Sequence, residues 1–317
     1  MPSKFIVIIL TIFIFIALQF AERFKNKPNF KLWCWLLVTP AYLLTTFIYL
    51  YAFQQVNFTD PSNLTEIVRV ALFITGLSIF IPFIRQYLAK LIPIDSKSHL
   101  HTITLVLSLL LFVYFSYHLD PRKALERLTS SSNDHIEQLI TVFLPCLFFS
   151  VFGVGFLIRR TKAQTIARLG LSRPKLQTFL LGVSLCIAYL VFVEPTLKYI
   201  LKICGFVDNP DILNHIKHHL QNTSKNWLEI LLLGLLPGIG EELLFRGALQ
   251  PRLGILYTSL LFAVVHTQYG FTTVTLSVFC ASIYIGYIRQ RFGTTTTIIL
   301  HACNNIIAGL AAYLNYQ

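Results

Sequence analysis

Charged residues are scarce in this sequence of 317 residues. Asp, Glu, Lys and Arg together make up 13% of it, whereas they make up about 25% of a typical soluble domain. Apolar residues account for 55%, and the mean hydropathy is +0.65. This composition excludes a water-soluble domain, a disordered chain and a coiled coil, and it favours a membrane protein.

Acidic residues are the scarcer of the two charge types. The sequence has 14 Asp and Glu against 26 Lys and Arg, which gives a net charge of +12. A basic excess often accompanies nucleic-acid binding, but here the basic residues form short clusters between apolar runs. Because that arrangement is typical of membrane topology, we predict no nucleic-acid partner.

The six cysteines include no CxxC pair, so the sequence indicates neither a disulfide framework nor a zinc ribbon. Four of them lie inside apolar runs, where a free thiol behaves as a small hydrophobic side chain. We therefore expect buried free thiols. The six are Cys34, Cys146, Cys186, Cys204, Cys280 and Cys303.

Apolar runs long enough to cross a bilayer recur along the whole chain. A spanning helix needs about 17 to 25 mostly apolar residues, and ten runs qualify as candidates. We therefore predict an all-α fold, a polytopic transmembrane helix bundle of about ten spans. The candidates are 5–20, 32–53, 68–84, 101–117, 139–158, 178–194, 228–245, 254–268, 273–288 and 297–314.

The distribution of Lys and Arg between these runs predicts the orientation. Alternate connectors together hold seventeen basic residues, against eight in the other set, and the connector 159–177 alone holds six. Cytoplasmic loops carry the excess of Lys and Arg. We therefore predict that the richer set faces the cytoplasm and that both termini lie outside.

Ionisable residues inside the spans concentrate in the last third of the chain. Such residues are costly in a bilayer and are candidates for function. Glu241 and Glu242 lie within one span, and Arg246 shares a helical face with Glu242, so these two can pair. Glu241 points about 100° away and lacks that partner. Pro237 and Gly238 disfavour a regular helix just before it. The alternative is that both glutamates only support packing through an ion pair.

The span at 254–268 contains Phe262 and His266, one helical turn apart. The last span contains His301 and Asn305 at the same spacing. Taken singly, a histidine in an apolar helix is more often a satisfied core residue. A His and Asn pair can equally form polar contacts between helices.

Together these residues can hydrolyse an amide. A carboxylate beside an imidazole can hold and deprotonate a water molecule, and a second histidine with an amide can donate hydrogen bonds to the resulting oxyanion. A transporter with a buried Glu and His ion site is the alternative. Against it, the first six spans show no counterpart that would suggest an inverted repeat.

Three motifs carry a family resemblance. The sequence EELLFR at 241–246 matches EExxxR, FAVVH at 262–266 matches FxxxH, and HACNN at 301–305 matches HxxxN. In this order they resemble the CPBP family, which comprises CAAX-type proteases and bacteriocin-processing enzymes and is also called the Abi family. The resemblance covers about 228–317, with a weaker similarity in LGLSRPK at 169–175.

The resemblance implies a role for each matching residue. Glu241 would activate the water with the assistance of His266, while His301 and Asn305 would form the oxyanion hole. The protein would then be an intramembrane endopeptidase acting on a membrane-associated, prenylated or leader-type peptide. A non-catalytic immunity or scaffold protein of the same family is a further alternative.

The resemblance also implies that Glu242 and Arg246 shape the site and balance its charge. No HExxH motif is present, and no metal is expected. A divalent metal such as Zn²⁺ is the alternative, and its ligands would be Glu241, His266 and His301.

The predicted organisation has two parts. Residues 1–177 form an N-terminal transmembrane region of about five spans that ends in a basic cytoplasmic connector. Residues 178–317 form the catalytic transmembrane core, whose site lies on the last four spans. We expect a multi-pass protein of a cell membrane, as in the inner or plasma membrane of a prokaryote.

One further cluster of histidines lies outside these motifs. His215, His218 and His219 share a face of the segment 211–220, opposite three apolar residues. Metal binding is one interpretation. An amphipathic helix at the membrane interface explains the pattern with fewer assumptions, and we predict such a helix.

Overall fold

A computed structural model describes residues 2–54, 64–116, 135–207, 210–266 and 272–314. All regular secondary structure in these ranges is helical, and they contain no β-strand. The predicted all-α class is confirmed for this part of the chain. The described residues form two compact units, one containing 2–116, 151–165 and 252–254 and the other the remainder.

The first unit contains five helices that pack through apolar side chains. Ile14 and Leu18 meet Val38, Ala41 and Leu100 in its core. The helices are α1 (Pro2–Phe24), α2 (Lys31–Gln54), α3 (Leu64–Ser78), α4 (Pro82–Leu91) and α5 (His99–Ser116), with a 3-10 turn at Pro28–Phe30.

A sharp bend between α3 and α4 corrects one predicted span. The sequence predicts a single span over 68–84, but the two helices meet at 105°. Pro82 opens α4, and Ile81 before it is extended, because proline lacks an N–H and disfavours a helical residue before it. Arg85 donates hydrogen bonds to the carbonyl oxygens of Ile79 and Phe80, which the bend exposes.

The second unit contains the region with the predicted site, and the domain boundary at residue 177 stays a prediction. Its helices include two π-helical segments, π1 and π2. In chain order the elements that follow α5, some of which have residues in both units, are α6 (His135–Gly153), α7 (Lys162–Leu169), α8 (Leu176–Ala188), π1 (Tyr189–Val193), α9 (Glu194–Ile203), α10 (Pro210–Asn222), α11 (Trp227–Glu241), π2 (Glu242–Leu249), α12 (Gln250–Val265), α13 (Thr273–Phe292) and α14 (Thr294–Leu314).

The chain is helical from α11 through π2 into α12, which corrects the predicted break between the spans 228–245 and 254–268. The helix widens at Glu242 instead of ending there, and π-helical turns of this kind are frequent at functional sites. The direction changes only at Gly254, whose φ of 78° suits glycine because it lacks a Cβ atom.

Helices α11 and α14 pack closely because glycines face the contact. A Cβ atom on Gly238 would lie 2.9 Å from the backbone nitrogen of Ala302, and one on Gly234 would lie 2.8 Å from its carbonyl oxygen. Real Cβ atoms do not approach other atoms so closely. These two glycines therefore set how near the His301 helix comes to the Glu241 helix.

Four of the described helical segments are long and apolar enough to cross a membrane, or five if α3 and α4 form one bent span. The protein is thus an integral membrane protein, but the predicted ten spans are not confirmed. Several predicted spans fall on short helices, such as α11 with 15 residues and α12 with 16. The four segments are Leu32–Tyr51, Ile136–Gly153, Leu176–Ile203 and Thr294–Leu314.

Candidate active site

Glu241 and Glu242 lie at the junction of α11 and π2 and face different surroundings. The Glu242 side chain is fully buried, whereas that of Glu241 is 12% exposed. Adjacent helical residues point in directions about 100° apart. One carboxylate is therefore enclosed among helices, and the other lines a cavity.

A buried polar network surrounds Glu242. Its Oε2 lies 3.5 Å from Nε of Arg246, the partner that the helical spacing predicts. Its Oε1 accepts a hydrogen bond of 3.0 Å from Nδ1 of His301. Arg246, also fully buried, donates to the hydroxyl of Ser282 at 3.0 Å. Since an unpaired charge is costly away from water, these partners keep both charged groups in place.

His266 ends α12 beside Glu241. Its Nε2 lies 3.8 Å from Oε2 of Glu241, beyond hydrogen-bond distance but close enough for one water to contact both. Its Nδ1 lies 2.7 Å from the carbonyl oxygen of Phe262. A carbonyl can only accept, so Nδ1 carries the hydrogen. With its hydrogen on Nδ1, the neutral form of the ring turns a lone pair on Nε2 towards Glu241.

Phe262 separates the Glu241–His266 pair from the Glu242–His301 pair. Its ring lies 4.5 Å from that of His266 and 6.2 Å, edge-on, from that of His301. The guanidinium carbon of Arg246 lies 5.1 Å from its centre. The aromatic ring thus fixes the imidazoles and stabilises the buried cation through its π face.

Asn305 contacts the backbone of α11. Pro237 has no N–H, so the carbonyl of Leu233, one turn earlier, loses its usual helical donor. The amide of Asn305 donates to that oxygen over 3.4 Å. The structure therefore places Asn305 at the irregularity that proline creates, with its second amide hydrogen not used by this contact.

The three side chains proposed for zinc are divided between different partners. His301 binds Glu242, and His266 faces Glu241. In the described part of the chain, no three His, Cys, Asp or Glu side chains are close enough to hold a metal ion. The zinc site therefore does not fit these side chains as they are placed.

A cavity of about 210 Å³ opens beside Glu241, between α6, α10 and α11. Its lining includes His219, although the sequence pattern placed this residue with His215 and His218 on the face opposite the apolar residues. Ile212 packs inwards, and His219 follows it on the inner side two turns later, whereas His218 is exposed. The grouping of the three histidines on one outer face is therefore wrong for His219.

The end of α7 and Gly170 just after it hold the last turn of π2 and the start of α14. Arg168 donates to the carbonyl oxygens of Gly247 and Ala248 at 2.8 and 3.1 Å, in the last turn of π2. The backbone N–H of Thr294 donates to the carbonyl of Gly170, which has a φ of 70°. These contacts anchor both helices that carry the Glu242 network.

Sequence reasoning missed Ser282 and Arg168. Ser282 is a single small polar residue in an apolar span, and Arg168 is one of six basic residues in its connector. Neither feature distinguishes a residue that touches the site from one that does not. The only signal was the weak motif at 169–175, which follows Arg168 directly.

Residues 223–307 match the family model described as "Type II CAAX prenyl endopeptidase Rce1-like". This segment belongs to the CAAX protease family. No curated protein and no solved structure matches the chain. The CAAX protease domain runs from the end of α10 to α14, so all three motifs lie within it. A domain of this family is of the intramembrane endopeptidase kind.

Proposed function

We propose that the protein is an intramembrane endopeptidase that hydrolyses a peptide bond in a membrane-associated or prenylated peptide. The observation that carries this proposal is the placement of Glu241. Its carboxylate lines a cavity and faces the free lone pair of His266, while its neighbour Glu242 is neutralised by Arg246. One carboxylate is thus available for chemistry.

The first step is activation of water. A water molecule between Glu241 and His266 donates one hydrogen bond to Oε2 and the other to Nε2, both of which are acceptors. Oε2 of Glu241 is buried and has no hydrogen-bond partner among the described residues, so it can accept this bond. As the water oxygen attacks the substrate carbonyl carbon, Glu241 takes the proton.

The second step is stabilisation of the oxyanion. His301 can donate from Nε2 when its ring is an imidazolium, because Nδ1–H is directed at Glu242. Asn305 can donate its second amide hydrogen. Removal of one such donor typically lowers kcat by about 10²- to 10³-fold.

The tetrahedral intermediate then collapses. The C–N bond breaks, the proton held by Glu241 passes to the departing amine nitrogen, and the carbonyl of the new carboxyl terminus forms. Water supplies the hydroxyl of one product and the hydrogen of the other, so the reaction needs no further reactant. The network of Glu242, Arg246 and Ser282 positions His301 throughout.

The test is cleavage of a farnesylated, internally quenched peptide by purified protein in lipid nanodiscs. We expect Glu241→Gln and His266→Ala to abolish cleavage while protein yield and membrane insertion stay unchanged. Glu194→Gln and His218→Ala are matched controls, because Glu194 forms an ion pair with Lys198, one helical turn later, and His218 is exposed. Full activity of both site variants would overturn the proposal.

A chelator in the same assay tests the metal-free mechanism. We expect cleavage to continue at an unchanged rate. Loss of cleavage that Zn²⁺ restores would instead require a metal at this site and would overturn the water activation by Glu241 and His266 alone.

A further inference from the structure

A tight turn at 154–160 follows α6 and carries two adjacent arginines. The backbone N–H groups of Arg159 and Arg160 both donate to the carbonyl oxygen of Gly155, at 2.8 and 2.9 Å. The N–H of Leu157 donates to the carbonyl oxygen of Arg160 at 3.1 Å and closes the turn. Since the candidate span on α6 ends at Gly153, the turn begins where the apolar helix stops.

Leu157 has a backbone conformation that leucine does not favour. Its φ is 64°, in the left-handed region that glycine and asparagine adopt most readily. Its side chain is 72% exposed, so packing inside the protein compensates little of this strain. Strained backbone persists where the surrounding structure holds it, and it is frequent at ligand-binding positions.

Helix α1 holds this turn in place. The side-chain oxygen of Gln19, which is fully buried, accepts a 2.5 Å hydrogen bond from Nε of Arg159, and its amide donates to the carbonyl oxygen of Gly153. Arg23, one helical turn later, donates to the carbonyl oxygen of Ile158 at 2.5 Å. The protein's own contacts therefore set the position of Arg159.

The positive charge of this turn is not balanced within the protein. In the described part of the chain, no ion pair includes Arg159, Arg160 or Arg252. Glu22, a carboxylate that acts on Arg159, is already paired with Lys25 at 2.9 Å. Burial lowers the pKa of the Arg160 guanidinium, and the like charge of Arg252 lowers this pKa further. A bound anion would relieve this repulsion.

Several guanidinium N–H groups remain available for such an anion. Arg159 uses Nε for Gln19, and Arg160 uses one of its two terminal nitrogens for the carbonyl oxygen of Val154. The two terminal nitrogens of Arg159 and the second one of Arg160 make no hydrogen bond with any described residue. A planar guanidinium with free N–H groups matches two oxygens of a phosphate group.

Helix α4 indicates the membrane depth of this end of the first unit. It meets α3 at 105°, and Phe83, Tyr87 and Leu91 form an exposed apolar row at a spacing of four residues. A helix that lies across a span and exposes aromatic side chains is typical of the membrane–water interface. The segment after α4 reaches the end of α1, where Asp95 lies 3.9 Å from Lys25. Since α1 also holds the arginine turn, we place this turn at the depth of the lipid headgroups.

We propose that the turn 154–160 binds an anionic phospholipid. Arg159 and Arg160 hold the phosphate of the headgroup, and Arg252 strengthens the attraction. Leu157 contacts the apolar region of the lipid next to the headgroup. A free phosphate ion would gain nothing from Leu157, whereas a phospholipid uses the charge, the apolar contact and the membrane depth together. The site lies in the first unit and does not depend on the proposed peptidase function.

Lipid binding to the purified full-length protein is the first test. Native mass spectrometry in detergent gives the Kd for phosphatidylglycerol and for uncharged phosphatidylcholine in separate titrations. We expect phosphatidylglycerol to bind the wild type clearly more tightly, and equal affinities for the two lipids would overturn the proposal. Added salt should weaken phosphatidylglycerol binding because it screens the charges.

Removal of the arginines is the second test. Because each basic residue near an anionic lipid surface contributes about a fivefold gain in affinity, Arg159→Gln with Arg160→Gln should weaken phosphatidylglycerol binding roughly twentyfold. Arg252→Gln should weaken it about fivefold. Arg252 is exposed and makes no recorded hydrogen bond within the described ranges, so this variant tests the site even where loss of the Arg159 contact to Gln19 impairs folding.

A matched control removes the same charge from the same connector. Arg173→Gln with Lys175→Gln changes two exposed basic residues outside the turn and should leave the Kd for phosphatidylglycerol nearly constant. An equal loss of affinity in this variant and in the Arg159 and Arg160 variant would show a general attraction of basic segments to anionic lipid. That result would overturn a site at the turn.

Leu157→Asn separates lipid contact from stability. Asparagine tolerates a φ of 64°, so this variant should melt at the temperature of the wild type or above it. It should nevertheless bind phosphatidylglycerol several-fold more weakly, because the apolar contact is lost. Unchanged affinity would contradict the role of Leu157.

Inorganic phosphate distinguishes the lipid from a soluble anion. We expect an excess of inorganic phosphate to leave phosphatidylglycerol bound to the wild type. Displacement of the lipid by phosphate, together with unchanged affinity of Leu157→Asn, would assign the turn to a free anion and overturn the phospholipid. Neither measurement involves cleavage, so the result stands apart from the test of the peptidase function.

Discussion

Separate substitutions of Glu241 and Glu242 should produce different defects, one in activity and one in stability, although the residues are adjacent and chemically identical. Glu242→Gln removes the negative charge that faces Arg246 and leaves that fully buried guanidinium without its ion-pair partner at 3.5 Å. Glu241→Gln removes a carboxylate whose nearest recorded ionisable partner, His266, lies 3.8 Å away. The first change therefore perturbs folding and the second perturbs chemistry.

The magnitudes follow from these contacts. Removal of one partner of a buried ion pair destabilises a protein by roughly 3 to 5 kcal/mol, and both Glu242 and Arg246 are fully buried. Glu241→Gln breaks no recorded hydrogen bond to Oε2 within the described ranges, so we expect a change of about 1 kcal/mol or less. Loss of a general base lowers the rate by about 10²- to 10⁴-fold.

Two measurements on each variant test this expectation. The apparent melting temperature in detergent reports stability, and cleavage of the farnesylated peptide reports chemistry. We expect Glu242→Gln to melt at a clearly lower temperature than the wild type. Glu241→Gln should melt with the wild type and show no cleavage. The double substitution Glu242→Gln, Arg246→Met should recover part of the lost stability, because the buried guanidinium that lost its partner is removed as well.

The reasoning would be refuted if Glu241→Gln unfolded and Glu242→Gln did not. It would also be refuted if the double variant were less stable than Glu242→Gln alone, since the defect of the single variant would then not come from the uncompensated guanidinium of Arg246.

Three further predictions concern the surroundings of the site. Arg168→Ala should lower the free energy of unfolding by about 1 to 3 kcal/mol, because two charge-assisted hydrogen bonds to backbone carbonyls are lost. Arg168→Lys should recover part of this stability, and a melting curve measures both variants. Gly238→Ala should destabilise the protein by roughly 1 to 3 kcal/mol through its clash with α14, whereas Gly153→Ala, which meets nothing within 4 Å, should melt like the wild type. Cys204, which is exposed in the predicted outer connector, should react with a membrane-impermeant maleimide in intact cells; labelling only after permeabilisation would reverse the predicted orientation.

The local relations at the site could be predicted from spacing. Residues four apart on a helix share a face, and this rule predicts the contacts of Glu242 with Arg246 and of Phe262 with His266. It also separated Glu241 from Glu242. Such relations depend only on helical geometry, which neighbouring residues fix by themselves.

The partners across helices could not be predicted in the same way. The sequence suggested that His301 would join Glu241, but its ring binds Glu242 instead. Spacing along one helix carries no information on which neighbour another helix faces. That choice depends on the close approach of α11 and α14, which Gly238 permits. The catalytic roles themselves stay predictions.

The number and shape of the spans show the same limit. Hydropathy locates apolar runs, yet it placed one span over 68–84, where Pro82 starts a second helix at 105°. It also separated the spans 228–245 and 254–268, between which the chain continues as a π-helix and then an α-helix. Mean hydropathy is insensitive to backbone direction, so bends and widened turns need the packed structure.

The sequence by itself determined the all-α class, the membrane setting, the family motifs and the pairing within each helix, because composition and helical periodicity are properties of short stretches of chain. Only the tertiary structure decided that Glu242 is enclosed by Arg246 and His301, and that Glu241 is left at a cavity between α6, α10 and α11. The physical reason is that burial and cavities arise between helices, where residues distant along the chain meet.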